Sequence, residues 1–377
     1  MKSVISAYAR SPFHFAKKGA LAAVRPDTLA AQVVKGLLAR TDLDPALLDD
    51  VILGCAYPEA AQGNNLARIV GLLAGLPHAV PGMTVNRFCG SSMQAVHIAA
   101  AQIEAGMGEA FLCVGVESMT MVPQGGFNFS PNPELAAHSE AYISMGETAE
   151  NVAQRWNVSR ADQEQLAVES HRKASEAREQ GRLRDEIVAI ATDAGATVDA
   201  DGCIRPTTNL EALAALKPAF RPDGVVTAGT SSPLTDGAAV VLVTSDAFAA
   251  KHGLPMLARI KAFASVGVDP AVMGIGPIPA TRKALARAGL SVADLGVVEI
   301  NEAFASQALA CIRDLGLDPA TVNLDGGGLA IGHPLGATGA RITGKAAALL
   351  LRENARYALA TQCIGGGQGI ATILERV

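Results

Sequence analysis

The chain is poor in aromatic and charged residues. Only 4% of its 377 residues are aromatic and 18% are charged, whereas 49% are hydrophobic and 38 residues are Gly. A hydrophobic share this high excludes an intrinsically disordered chain, and the length allows two or three compact units. With so few large rings, the core has to be built from small side chains that pack closely, as in layered α/β enzymes.

Basic tracts and long apolar runs are absent as well. The formal net charge of −5 argues against a general nucleic-acid binder, so a polyanionic ligand would need a local cluster of Arg and Lys. The start of the chain, MKSVISAYARSPF, has no apolar core of the kind found in secretory signals. No segment approaches the roughly 18 apolar residues of a membrane span. We therefore expect a cytoplasmic protein with no membrane span and no nucleic-acid partner.

Cysteine pairs with metal-binding or redox spacing are also missing. The sequence contains six scattered cysteines, namely Cys55, Cys89, Cys113, Cys203, Cys311 and Cys363. None of them forms a C-x-x-C motif, so neither a zinc site nor a thioredoxin-like centre is expected. Thiols stay free in a reducing compartment, and each cysteine is therefore a candidate for chemistry.

What the sequence does contain is an internal repeat of strands and helices. In the N-terminal part, the hydrophobic patterns predict strands at 3–9, 49–56, 83–88 and 109–117, with helices at 27–40, 65–76 and 90–106 between them. In the C-terminal part, they predict strands at 256–266, 295–303, 356–364 and 369–377 and helices at 279–289, 304–316 and 336–353. The two parts follow a similar order.

Alternating strands and helices predict an α/β fold with mainly parallel sheets, and the repeat predicts two halves related by a pseudo-twofold. The turns that carry Cys89 and His333 occupy matching places, and each of them opens an apolar helix. Helices with so few charges have to be covered on most sides, as in the middle layer of a sandwich. We therefore expect the two turns to lie near each other.

The segment between the halves has a different character. It contains a charged helix that we expect to face solvent, with Ser159 as N-cap and Gly181 as its stop, surrounded by loops rich in Gly and Pro. We interpret 118–233 as an insertion on the first half, which then comprises 1–117 and 234–254. The second half comprises 255–377.

Four residues are candidates for chemistry. Cys89 lies in NRFCGSSMQA, where a strand meets a helix whose N-terminus should favour the thiolate, although a buried structural cysteine is the alternative. His333 lies in a Gly-rich turn and is either a general base or an ordinary loop histidine. Cys363, in TQCIGGGQG, is either reactive or a small core residue. Asn301 follows a strand and is either a ligand-binding residue or a helix N-cap.

Taken together, NRFCGSSMQA, NEAFA, GGGLAIGHPLGATGAR and CIGGGQG resemble the signature blocks of the thiolase family, in the family's order. The resemblance covers essentially the whole chain. It implies a layered fold with two similar βαβαβαββ halves and an inserted loop domain that binds coenzyme A. Coenzyme A would be a substrate, and no permanently bound cofactor or metal would be needed.

The resemblance also implies catalytic roles. Cys89 would be the nucleophile that carries the acyl group, and His333 would take its proton. Cys363 would be the second acid/base. Asn301 would hold a water that forms one oxyanion hole with His333, and the N–H groups of Cys89 and Gly365 would form the other.

Further residues match positions of the family that contact the substrate. Ser232 matches a serine that hydrogen-bonds the pantetheine arm, and Arg205 matches a basic position near the nucleotide. The acyl or pantetheine channel would be lined by Met145, Phe220, Ala228, Met273 and Phe304. From the sequence alone, core packing is the alternative for each of these apolar residues.

Ser144 bears on the choice of substrate. Short-chain biosynthetic thiolases typically have His at this position, and other blocks of the sequence also resemble the bacterial degradative branch. We therefore expect thiolysis of 3-ketoacyl-CoA in fatty-acid β-oxidation. The alternatives are an acetyl-CoA C-acetyltransferase that makes acetoacetyl-CoA and, more remotely, an inactive lipid-binding protein of the same fold. The resemblance further implies a homodimer or homotetramer and, in the degradative branch, a hydratase/dehydrogenase partner subunit.

Overall fold

The computed structural model describes residues 2–377 and contains twelve strands in that range. The strands are β1 Ser3–Arg10, β2 His14–Phe15, β3 Asp50–Gly54, β4 Gly82–Val85, β5 Ala110–Ser118, β6 Ile190–Ala191, β7 Thr197–Val198, β8 Thr235–Ser245, β9 Ala258–Gly267, β10 Leu295–Ile300, β11 Tyr357–Ile364 and β12 Gln368–Glu375. Each strand expected from the sequence is found, although the one expected at 83–88 ends at Val85.

Twelve α-helices are found in the same range. They are α1 Pro26–Thr41, α2 Leu66–Ala74, α3 Ser91–Glu104, α4 Pro133–His138, α5 Met145–Arg155, α6 Arg160–Glu179, α7 Leu210–Ala214, α8 Asp246–Lys251, α9 Pro277–Ala288, α10 Ala305–Leu315, α11 Gly328–Ile331 and α12 Leu335–Arg352. None of these helices combines the length and the hydrophobicity that a bilayer crossing requires. The six long helices expected from the two repeated parts are all present.

The principal sheet runs in the order β10-β11-β12-β9-β1-β8-β5-β3-β4, with β2 paired to β8. Parallel pairing is confined to β3–β4, β3–β5 and β10–β11, and the other pairs are antiparallel. The expectation of mainly parallel sheets was therefore wrong. The reason lies in two strands. β8 lies between β5 and β1, and β12 lies between β11 and β9, and each runs antiparallel to both of its neighbours.

The two halves nevertheless share one strand order. From the edge of the sheet to its centre, the first half has the order β4-β3-β5-β8-β1. In the second half, β10-β11-β12-β9 corresponds to β3-β5-β8-β1, and a single bridge at Val322 takes the edge position of β4. The third strand of the second half is thus reduced to a single bridge between Val322 and Val298. The halves join where β1 pairs with β9, which makes the predicted pair of sheets one continuous sheet with a pseudo-twofold at its centre.

Helices α3 and α12 form the middle layer. They pack against each other, and α12 contacts strands of both halves, including β5 and β8 of the first and β10 and β11 of the second. Small residues permit this close approach, because a Cβ on Gly339 of α12 would collide with the backbone of Met93 in α3. The middle layer expected from the low charge of these helices is confirmed.

Much of the intervening segment lies over the second half. Ser159 caps α6 as expected, since its side chain accepts a hydrogen bond from Asp162 N, and Gly181 has the positive φ of 75° expected after a helix. The helix does not simply face solvent, however. One side of α6 contacts α10 and α11, and Ser170 is buried there, where its hydroxyl donates to Glu302 Oε2 at 2.7 Å. Polar side chains on that side have buried partners, so the charge of the helix alone did not predict which of its sides is exposed. The domain boundaries given above stay a prediction.

Candidate active site

The turn that carries Cys89 follows β4 and leads into α3. Phe88 adopts a left-handed φ of 43°, a conformation that is strained for a bulky residue. The turn is held because Phe88 N donates to Asn86 Oδ1 at 2.8 Å and Arg87 N donates to Ser91 Oγ at 2.9 Å. Cys89 is thereby fixed just ahead of α3, whose N-cap is Gly90. Strain held in place at a reactive side chain is typical of functional sites.

The Cys89 thiol is held in its protonated form. Burial raises its pKa to about 11, although the N–H groups of Gly365 and of Cys89 itself act in the opposite direction. The expected effect of the N–H groups at this turn is therefore present but outweighed in the free protein. Loss of solvation outweighs the two N–H groups, so the nucleophile needs a base to take its proton.

Cys363 approaches the same thiol from the second half. It lies near the end of β11, where it pairs with Gly369 of β12, and it is buried. Burial raises the pKa of Cys363, and the charge that Cys89 would carry raises it further. Gln362 Nε2 also donates to Cys89 O. The two cysteines that the sequence placed far apart are therefore neighbours, both protonated, with Gly365 beside them.

The tautomer of His333 follows from its partners. The Thr338 hydroxyl donates to Pro334 O at 3.0 Å, and the same oxygen lies 2.6 Å from His333 Nδ1. Because that hydroxyl has a single proton, Nδ1 has to be the donor, which leaves Nε2 unprotonated, with its lone pair toward the Asn301 amide. Burial and the positive charge of Arg341 lower the pKa of His333 to about 3, so the ring is neutral at physiological pH. Nε2 can then accept a proton.

Asn301 brings a polar group to Nε2. Its Nδ2 lies 3.3 Å from His333 Nε2, and both residues are buried. Asn301 is not the N-cap of α10, which is Phe304. Its Oδ1 has no hydrogen-bond partner within 2–377 and can accept a bond from a small polar molecule. No hydrogen bond joins His333 to Cys89 in the same range, but Ala340 N of α12 donates to Ser92 Oγ of α3 and holds the two turns side by side.

An apolar cluster adjoins Cys363. It includes Met145, Met273 and Phe304. The ring of Phe220 packs edge-on against Phe304, with centroids 5.9 Å apart, although Phe220 itself is 41% exposed. These four predicted channel residues are thus brought together.

The loop that carries Ser232 lies against this cluster. Ser232 N donates to Ala303 O at 3.0 Å, and Ser231 pairs with Phe304. Ala228 opens a 3₁₀ turn in the same loop and is exposed. Arg205 is placed differently. It is exposed, its N–H donates to His171 Nδ1 at 3.1 Å and its guanidinium lies over the ring of Phe15, and neither contact belongs to the apolar cluster.

Sequence reasoning missed two residues of the site. Thr338 sets the tautomer of His333. The one feature of the sequence that could have indicated this role is its position five residues after His333 in the same Gly-rich block. Glu117 is a buried carboxylate at the end of β5 and accepts hydrogen bonds from the N–H groups of Ala56 and Gly336. A lone Glu at the end of an apolar strand was its only signal.

Comparison with known proteins agrees with this geometry. The family model described as "Thiolase, N-terminal domain" matches residues 3–247, and that of "Thiolase, C-terminal domain" matches residues 254–376. The 3-ketoacyl-CoA thiolase of Saccharophagus degradans is 50% identical over 99% of this chain and 98% of its own, and that of Bacillus subtilis is 46% identical over 99% of both.

A solved structure gives the same result for the fold. The crystal structure of human mitochondrial 3-ketoacyl-CoA thiolase superposes with a TM-score of 0.92 at 37% sequence identity, over 100% of this chain and 99% of the human one. The predicted fold class, with two similar halves and an insertion, is thereby confirmed. Matches over the whole length in both sequence and structure lead to one conclusion: the chain belongs to the thiolase family.

Proposed function

We propose that this thiolase cleaves 3-ketoacyl-CoA with coenzyme A, giving acetyl-CoA and an acyl-CoA shortened by two carbons, as in fatty-acid β-oxidation. The relatives named above carry the name of this activity. The observation that carries the proposal is the meeting of two protonated cysteines, Cys89 and Cys363, beside the N–H of Gly365. Breaking a carbon–carbon bond next to a thioester requires both a nucleophile and a proton donor for the carbon that leaves.

In the first half-reaction, His333 Nε2 accepts the proton of the Cys89 thiol, and the sulfur attacks the C3 carbonyl. The C2–C3 bond then breaks, and its electron pair goes to C2 of the departing acetyl-CoA enolate. Cys363 gives its proton to C2, so acetyl-CoA leaves and the shortened acyl group stays on Cys89 as a thioester. The raised pKa of Cys363 fits this role, because a thiol that holds its proton is available as an acid.

In the second half-reaction, the Cys363 thiolate takes the proton of the incoming CoA thiol. The CoA sulfur attacks the acyl carbon, and the C–S bond to Cys89 breaks. The leaving Cys89 sulfur recovers its proton from His333. Burial disfavours the charged ring of His333, so this proton is readily returned. The two-step exchange predicts ping-pong kinetics.

Two groups would stabilise the oxyanions. The N–H groups of Cys89 and Gly365 both act on the Cys89 sulfur and are therefore placed to bind an oxygen attached to the carbon it attacks. On the other side, Asn301 would hold a water beside His333 Nε2 for the thioester oxygen of the acetyl-CoA half. The unpartnered Oδ1 of Asn301 supports this role, since it can fix such a water.

For coenzyme A we propose an approach over the inserted segment 118–233. The Ser232 side chain would bond the pantetheine arm, and Met145, Met273 and Phe304 would line the channel beside Cys363. Phe220 and Ala228 lie at its exposed side. Arg205, exposed on a different part of the surface, would reach only the nucleotide end. A homodimer or homotetramer and a hydratase/dehydrogenase partner stay predictions.

A series of substrates tests the proposal. Purified protein is assayed with 3-ketoacyl-CoA of four to sixteen carbons and free CoA, and acetyl-CoA is quantified. We expect turnover beyond the four-carbon substrate, and Cys89→Ala should abolish it. The control is Cys113→Ala, because Cys113 is also a buried thiol but lies in the middle of β5, paired with Ile52 and Val241. Activity confined to acetoacetyl-CoA would instead indicate the acetyl-CoA C-acetyltransferase.

A further inference from the structure

Glu117 occupies an unusual place for a carboxylate. It is fully buried at the carboxyl end of β5, and within residues 2–377 no Lys or Arg forms an ion pair with it. Its partners are hydrogen-bond donors instead. Oε2 accepts from Ala56 N at 2.8 Å and Gly336 N at 2.9 Å, and Oε1 accepts from Gln62 Nε2 at 2.8 Å and Tyr57 N at 3.3 Å. A buried carboxylate without a cation needs such a set of donors.

The donors on one side belong to the support of the nucleophile. Ala56 follows Cys55 directly after β3, and this short segment is hydrogen-bonded to the chain that leads into the Cys89 turn. Cys55 N donates to Val85 O at 3.2 Å, and Asn86 Nδ2 donates to Ala56 O at 3.0 Å. Moving the segment would therefore move the backbone that leads to Cys89.

The donor on the other side belongs to the base. Gly336 lies in the first turn of α12, three residues after His333. A Cβ at Gly336 would lie 2.5 Å from Val116 O, so the helix start rests directly on the end of β5. The same oxygen of Glu117 thus accepts one bond from the support of the Cys89 turn and one from the helix start behind His333.

We propose that Glu117 is a positioning residue for acyl transfer, whose carboxylate fixes the separation between Cys89 and His333. The inference rests on the proposed function, in which His333 takes the Cys89 proton. A Gln cannot replace it, because its NH₂ group would face a backbone N–H, and an Asp lacks the length to reach both sides. A displacement of about 1 Å at reacting groups costs on the order of 100-fold in rate.

The carboxylate has a second, separable effect. It is one of the groups that raise the pKa of Cys89, after burial. Removing its charge should therefore let the Cys89 thiol ionise at lower pH. The two effects of a Gln at this position on the reaction rate are therefore opposed. The lost charge makes the Cys89 thiol more acidic, whereas the lost hydrogen bonds leave Cys89 and His333 less well aligned.

The test compares Glu117→Gln and Glu117→Asp with Asp236→Asn. Asp236 is a buried carboxylate at the same end of the sheet that accepts from Thr120 N at 2.9 Å and contacts neither catalytic turn through its carboxylate. Thiolysis gives kcat and KM for CoA, iodoacetamide alkylation of Cys89 gives the pH midpoint, and circular dichroism reports folding. We expect kcat to fall about 10- to 100-fold in both Glu117 variants with KM changed less than about threefold. The alkylation midpoint should move to lower pH only in Glu117→Gln.

Two results would overturn the inference. One is a kcat within about threefold of Asp236→Asn in both variants, and the other is a loss in which KM for CoA rises while kcat stays unchanged, because misalignment of reacting groups lowers kcat. If Glu117→Gln fails to fold, Glu117→Asp still decides, because it keeps the charge and loses only reach. A wild-type protein that cleaves no 3-ketoacyl-CoA would refute the proposed function, whereas an active wild-type protein with unimpaired Glu117 variants would refute only the role of Glu117.

Discussion

Replacing Thr338 by Val tests how the base of the active site is prepared. Thr338 Oγ1 accepts the Nδ1 proton of His333 at 2.6 Å and donates its own proton to Pro334 O. Val has the same shape but no acceptor, so the Nδ1–H is left buried without a partner. The ring then favours the tautomer with its proton on Nε2, which cannot take a proton from Cys89.

The expected loss follows from that unpaired donor. Leaving a buried donor unsatisfied costs about 1–3 kcal/mol, which corresponds to a fall of about 5- to 150-fold in kcat/KM if the reactive tautomer bears the whole cost. Thr343→Val is the matched control. Thr343 is buried on the same helix and its hydroxyl bonds Gly339 O at 2.7 Å, in the same backward pattern but without a histidine partner.

Steady-state thiolysis measures kcat/KM, and nitrogen NMR of labelled His identifies the protonated ring nitrogen. The wild-type protein should show the proton on Nδ1, and Thr338→Val should shift it toward Nε2. Thr343→Val should stay within about twofold of wild type, because its lost bond is local to the helix. Equal losses in the two variants, or an unchanged tautomer in Thr338→Val, would refute the reasoning.

Three further predictions concern the thiols and the packing. Because burial raises the pKa of Cys89 to about 11, alkylation of the free protein should still rise with pH above pH 9, and a plateau below pH 8 would contradict the neutral thiol. Cys363→Ala should abolish exchange of the α-protons of acetyl-CoA with deuterated water, as followed by NMR, whereas retained exchange would exclude Cys363 as the acid/base. Gly336→Ala should lower the free energy of unfolding in urea by about 1–3 kcal/mol, since its Cβ would meet Val116 O at 2.5 Å. Gly267→Ala, with nothing closer than 3.9 Å, is the control, and equal losses would contradict the packing argument.

The sequence was sufficient to predict the elements of both halves. Each long strand and helix has a local hydrophobic pattern, and the repeat placed Cys89 and His333 at matching turns. The pairing of β8 with β5 and β1 was beyond reach, because those partners lie more than 100 residues away along the chain and no local pattern encodes strand direction. The mainly parallel arrangement was predicted for that reason, and it was wrong.

The chemical groups were easier to identify than their protonation states. The Cys89 block indicated a reactive cysteine, but its thiol pKa depends on burial by residues from both halves, which only the folded chain shows. The partners of His333 and Glu117 were likewise hidden, since Thr338 looked like an ordinary helix residue and Gly336 lies 219 residues from Glu117. The roles of Cys89, His333, Cys363, Asn301 and Gly365 stay predictions.

Mass spectrometry of the acyl-enzyme tests the central claim most directly. Wild-type protein is mixed with a 3-ketoacyl-CoA of sixteen carbons in the absence of free CoA, quenched in acid and digested. We predict a fourteen-carbon acyl group on the peptide that contains Cys89, about one equivalent of released acetyl-CoA, and loss of the adduct when CoA is added before quenching. An adduct on Cys363 or another cysteine, or acetyl-CoA released without any adduct on Cys89, would contradict the claim.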